Sequence, residues 1–342
     1  MERRYYRYDS ADEHQAKSVI RDDMGKICLI LITVILLSNL LSMLFILLFS
    51  LGGVCRMILE DHSVDFFHAF YRIHEMQESS VGNFIAGYLP VIVSDIVGIL
   101  MAKKLLTFSY YPSFWKKPGG EKGFSFWGIL STSGISLLGM LATYLLLAIF
   151  AVFGLEVYGP DFALPQDSPL ISALILLYGC ILGPIMEEII FRGYFLNRLK
   201  RHGKFFAAVI TSLLFALFHM NLVQFFAPFF IGILFFYLAL ETNSIRPAII
   251  AHILNNSVAF ALDFLPSETA YWILYLLYAA VGVIAFFVFR SRYQKQLQYI
   301  SQDNNAFIPA RQQLKAAFSG PAPIIYLIIY GINILLLFSL YA

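Results

Sequence analysis

The sequence predicts an all-α protein: a polytopic bundle of about nine transmembrane helices with a cytoplasmic N-terminus. Three observations carry that expectation. Of the 342 residues, 59% are hydrophobic and only 13% charged, roughly half the charged share of about 25% in an ordinary soluble domain. Apolar runs recur from residue 27 to the C-terminus, each near the ~20 residues that cross ~30 Å of hydrocarbon. The basic residues also segregate: 22 of the 24 lysines and arginines fall in segments that this orientation places inside, as the positive-inside rule requires.

Residues 1–26 carry six basic and six acidic side chains without apolar periodicity, and read as a solvated cytoplasmic tail. They are too long and too acidic for the n-region of a cleavable signal peptide. Spans are expected at 27–52, 84–102, 126–153, 170–191, 205–220, 222–240, 248–265, 271–289 and 324–342. The run 205–220 is short for a crossing, and a turn back before the far surface is one reading of it. The outside loop 53–83 holds His62, His68 and His74 beside Glu60, Asp61 and Asp65. Its histidine spacing of six does not gather the rings on one helical face, so it reads as a solvated loop. Lys103, Lys104, Lys116 and Lys117 with Tyr110, Tyr111 and Trp115 look like an interfacial belt at the inner surface. The polar stretch 290–323 is expected on that surface as a linker. Segments 1–26, 27–165, 166–265 and 266–342 thus form tail, N-terminal helices, core and C-terminal helices. Cys28, Cys55 and Cys180 show no paired spacing. A net charge of +2 does not indicate nucleic acid, and none is expected as a partner. The expected location is the cell membrane.

The stretch 170–199 contains the residues that least belong in lipid. A carboxylate near the middle of a membrane helix costs roughly 2.5–3.5 kcal/mol on insertion scales, and here Glu187 and Glu188 are adjacent. Intramembrane ionisable groups are functional-site candidates. Glu188 and Arg192 are four apart and share a helix face, in the favourable acid-first order. Glu187 is rotated about 100° away, which leaves it free to face a cavity and serve as a general base. A purely structural network of the two acids and Arg192 accounts for the same spacing. His219 closes the fifth run, and His252 and Asn256 lie one turn apart on the seventh. Singly, each fits a satisfied interface residue or interhelical hydrogen-bond glue. If the chain reverses at Gly203, Glu187 and His219 each lie sixteen residues from the turn, at similar depth, roughly 24 Å along each helix. Glu, His, His and Asn converging on a wet hollow make an acid–base and oxyanion-stabilising set. A divalent metal such as zinc, held by Glu187, His219 and His252, stays open on spacing alone.

Glu187-Glu188-x-x-x-Arg192, Phe215-x-x-x-His219 and His252-x-x-x-Asn256 together resemble the three-motif pattern of the CPBP family. That family includes CAAX prenyl endopeptidases and bacterial relatives linked to bacteriocin maturation or self-immunity. The resemblance covers roughly residues 170–265, with the motifs in order. It implies an intramembrane endopeptidase acting on a membrane-anchored, lipidated or leader-peptide substrate. In it, Glu187 would activate a water that His219 orients or polarises. His252 and Asn256 would stabilise the oxyanion, and Glu188 with Arg192 would hold the base. No serine or cysteine sits beside a base in a nucleophile arrangement, and the H-E-x-x-H pattern is absent. A non-catalytic immunity or scaffolding protein on the same fold is the alternative. A proton or ion transporter using Glu187 and Glu188 as a relay is a third reading.

Overall fold

A computed structural model describes residues 10–60, 79–106, 117–157, 159, 164–165, 167–301 and 308–340. The loop histidines 62, 68 and 74 lie outside these residues, as do Tyr110, Tyr111, Trp115 and Lys116. Among the described residues the chain is helical throughout, with no strand. Helices in chain order are α1 Ser10–Glu60, α2 Ser80–Leu105, α3 Phe124–Val152, α4 Pro169–His202, α5 Lys204–Phe218 and α6 Phe226–Thr242. They continue with α7 Arg246–Asp263, α8 Glu268–Arg292, α9 Gln294–Ser301, α10 Ala310–Ala317 and α11 Pro321–Leu340.

Six of these (α1, α2, α3, α4, α8 and α11) are long and apolar enough to cross a membrane, which makes the chain an integral multi-pass membrane protein. The other three runs expected to cross, 205–220, 222–240 and 248–265, become α5, α6 and α7. Helices α5 and α6 are apolar but only 15 and 17 residues long. Helix α7 carries Arg246, His252, Asn255, Asn256 and Asp263.

Burial explains why short helices suffice here. Helix α5 is enclosed: Phe206, Ala207, Ala208, Ile210, Leu214, Phe215, Ala216 and Leu217 are all buried. It packs on α4 and α6, which in turn meet α7. The peripheral helices turn leucine and isoleucine outward instead, including Leu40 and Leu47 on α1, Leu277 and Ile284 on α8, and Leu335 on α11. An outer face of that kind suits hydrocarbon, not water. Helix α2 joins α1 to α4, α3 packs between α6 and α8, and α11 lies along α1. Close crossings use small residues: a Cβ on Gly134 of α3 would sit 2.5 Å from the backbone of Gly282 on α8. That approach suits van der Waals association in lipid.

The N-terminal stretch expected as a solvated tail is, from Ser10 on, part of α1, a single helix of 51 residues and about 76 Å at 1.5 Å per residue. What orders it is a buried ionic contact. Asp23 is fully enclosed and accepts from Arg198 Nε at 2.5 Å and Arg201 Nε at 2.8 Å, while His202 Nε2 stands 2.6 Å away. The base of α1 is thereby clamped to the C-terminal end of α4. The 290–323 linker likewise forms α9 and α10, and Gln313 of α10 donates to the His202 carbonyl at 2.5 Å.

Candidate active site

Helix α4 is not a regular helix, and Pro184 stands just after its first irregular turn. Two π-helical turns, Tyr178–Leu182 and Ile189–Phe195, flank the acids. In the first, the Gly183 N–H reaches back five residues to the Tyr178 carbonyl. Continuing that register, residue 184 would donate to the Gly179 carbonyl, but proline has no N–H. Asn256 of α7 replaces the missing donor: its Nδ2 lies 3.0 Å from the Gly179 oxygen. π turns inside helices are frequent at functional sites, and bonds from a neighbouring helix satisfy carbonyls that such turns free in the membrane.

The second wide turn contains Arg192, which is 1% exposed and among the largest buried side chains. Its Nη1 donates to Glu188 Oε1 at 2.9 Å, and its Nη2 to the Gly232 carbonyl of α6 at 3.2 Å. The guanidinium lies over the Phe215 ring at 4.5 Å and over Phe235 at 5.3 Å, positions that add cation–π attraction. Gly232 makes this approach feasible, because a Cβ there would meet Nη2 at 3.1 Å and the Ser212 side chain at 3.0 Å.

The two acids occupy different environments. Glu188 is fully buried and takes both Arg192 and His252 Nδ1, the latter at 3.0 Å, on the same Oε1. Glu187 keeps a side chain 20% exposed, and its Oε2 lies 3.8 Å from His252 Nε2, too far for a direct hydrogen bond. Among the described residues that oxygen has no hydrogen-bond partner, nor has Glu188 Oε2. With Nδ1–H given to Glu188, a neutral His252 presents its Nε2 lone pair to Glu187.

His219, at the C-terminal cap of α5, points Nδ1 at the Phe215 carbonyl, 2.9 Å away. A carbonyl only accepts, so Nδ1 carries the proton and Nε2 is left with a lone pair. Phe215 packs edge-on against both imidazoles, with centroids 5.2 Å from His219 and 5.7 Å from His252. The structure therefore brings Glu187, Glu188, Arg192 and His252 together directly. His219 faces the group across the Phe215 ring and makes no hydrogen bond to Glu187. Asn256 sits one turn from His252, with one amide N–H committed to Gly179. Among the described residues, no three His, Cys, Asp or Glu side chains gather as a metal-ligand set.

Sequence reasoning missed a further acid at this site. Asp95 of α2 is 1% exposed; its Oδ2 accepts from Tyr178 OH at 2.8 Å, while Oδ1 has no partner among the described residues. It lies within electrostatic range of Glu187. The signal was available, since Asp95 is the sole acid in the apolar run 84–102.

Comparison with known proteins bears on this region alone. Residues 169–258 match the family model described as Type II CAAX prenyl endopeptidase Rce1-like. A Bacillus subtilis (strain 168) protein named "Putative membrane peptidase YdiL" is 32% identical over 94 residues, which are 27% of this chain and 38% of that relative. The chain thus spans well under half the length of the curated relative it matches. No solved structure matches. All six motif residues fall inside the matched segment, so the likeness to Rce1-like endopeptidases covers the residues that form this site.

Proposed function

We propose that this chain is an intramembrane endopeptidase that hydrolyses a peptide bond of a membrane-associated substrate with a water activated by Glu187. The observation that carries the proposal is the division of labour between adjacent acids. Glu188 is locked by Arg192 and His252, whereas Glu187 is partly open and keeps an unpartnered carboxylate oxygen facing His252. A carboxylate with a free oxygen in an enclosed site can take a proton from water.

In the proposed reaction, Glu187 removes one proton from a water whose oxygen adds to the scissile carbonyl carbon. His219 Nε2, fixed as an acceptor by the bond from Nδ1 to Phe215, orients that water through its other hydrogen. The carbonyl π electrons move onto oxygen, and the second Asn256 N–H together with His252 stabilises the oxyanion. His252 becomes a donor at Nε2 once the proton on Glu187 passes to it, the 3.8 Å separation closing to hydrogen-bond length when substrate binds. Collapse of the tetrahedral species breaks the C–N bond. The departing nitrogen takes up the transferred proton to leave as an amine, and the new carboxylic acid gives its remaining proton, the water's second hydrogen, back to Glu187, leaving as a carboxylate. Arg192 holds Glu188, and Glu188 in turn holds the His252 ring, so neither touches the reacting atoms. The proposed topology is nine crossings with the N-terminus cytoplasmic, supported by the segregation of basic residues.

The test is cleavage of membrane-anchored peptides, lipidated and unlipidated, by the purified full-length protein in liposomes, with and without strong chelators. Activity should fall at least about a hundredfold in Glu187→Gln and His219→Ala, since general acid–base groups contribute roughly 10²–10⁴. It should be unmoved by chelators. Wild-type rates in Glu187→Gln would remove the proposal.

A further inference from the structure

The loop after α5 has an unusual backbone conformation, and a helix far away in sequence fixes it. Met220 follows the α5 cap with φ +54°. Its N–H closes on the Leu217 carbonyl at 3.1 Å, and the His219 N–H on Ala216 at 3.3 Å. This is the left-handed position just past a helix, where glycine is the usual occupant and a residue with a Cβ is strained. Something must hold methionine there.

Helix α11 supplies the restraint. Asn333 Nδ2 donates to the Met220 carbonyl at 2.5 Å, and Tyr330, one turn earlier on α11, reaches the Asn221 carbonyl at 3.5 Å. Asn221, itself buried, returns a bond to the His219 carbonyl at 2.8 Å and braces Gln224 through both side-chain atoms. The carbonyls on either side of the Met220–Asn221 peptide bond and the one before it are thus all held by side-chain donors. A cavity of about 420 Å³ adjoins the contact, its lining mixing apolar side chains such as Val34 and Phe218 with Ser38, Asn39 and Ser94.

We infer that Asn333 is a positioning residue: it latches Met220 in the left-handed conformation and so fixes where α5 ends and where the His219 imidazole stands. It acts through the loop backbone and touches no reacting atom. Asn333 lies outside the matched segment 169–258, so α11 contributes to the site of this chain from beyond that segment. The inference deepens the proposed function, because it concerns the aim of His219.

The test compares the full-length protein with Asn333→Leu, Asn333→Gln, Met220→Gly and the double variant Met220→Gly/Asn333→Leu. Leucine is close to asparagine in size and compatible with lipid, so it deletes the donor alone; glutamine keeps one. Glycine adopts the left-handed region without strain and needs no latch. Hydrogen exchange at amides 219–225, read by mass spectrometry, should quicken about five- to tenfold in Asn333→Leu. It should stay near wild type in Asn333→Gln. In the Met220→Gly background, Asn333→Leu should change exchange by less than about twofold. Equal acceleration by Asn333→Leu in both backgrounds, or none in either, overturns the latch. On cleaved substrate, Asn333→Leu should lower kcat with KM unchanged, and Met220→Gly should restore kcat. If no substrate is cleaved by any form, the exchange result still decides the latch, while the peptidase proposal falls separately.

Discussion

Replacing Arg192 with methionine should be among the most destabilising single changes in this protein. Arg192 and Glu188 are 1% and 0% exposed. The substitution removes the 2.9 Å bond to Glu188, the 3.2 Å bond to the Gly232 carbonyl and the cation–π contacts to Phe215 and Phe235. Breaking a buried ion pair from one side costs ~3–5 kcal/mol, because the remaining charge has no water to return to. Here Glu188 keeps the His252 N–H at 3.0 Å, which places the expected loss near the lower end, about 3 kcal/mol. That is more than two decades in the folded-to-unfolded ratio. The diagnostic is the double variant Glu188→Gln/Arg192→Met. It deletes the orphaned charge, keeps an acceptor for His252, and should regain at least about 1 kcal/mol over the single variant. Unfolding by increasing denaturing detergent in mixed micelles, followed by helical circular dichroism, measures both. A single variant within ~0.5 kcal/mol of wild type, or a double variant no better than the single, would refute the view that the carboxylate depends on Arg192.

Two further perturbations probe the walls of the site. Gly232→Ala places a methyl about 3 Å from both Ser212 and the Arg192 guanidinium; overpacking of this kind costs ~1–3 kcal/mol, and the same detergent titration should show it together with reduced cleavage. Tyr178→Phe deletes the hydrogen bond from Tyr178 OH to Asp95, leaving a buried carboxyl with no partner at either oxygen among the described residues. A loss of ~1–3 kcal/mol is expected, and an unchanged detergent midpoint would show that Asp95 is satisfied in another way.

What the sequence determined by itself is what depends on short-range spacing or on composition. The all-helical membrane class follows from charge scarcity and apolar run length. The Glu188–Arg192 pair follows from a separation of four on a helix, and the reversal that sets α5 beside α4 from Gly203, whose φ of +135° a residue with a Cβ rarely adopts. Tertiary structure alone decided the rest, because those contacts join residues far apart in the chain. The 10–26 stretch looked solvated, since its acids and bases balance locally. It is helical, and its enclosed Asp23 meets Arg198, Arg201 and His202 some 175 residues away. Likewise Pro184 shows in the sequence that a backbone donor is missing, but not that Asn256 supplies it. Met220 shows nothing at all until α11 is seen to grip its carbonyl. A missing donor or an uncompensated charge is visible in one dimension, whereas the group that satisfies it is chosen by packing in three.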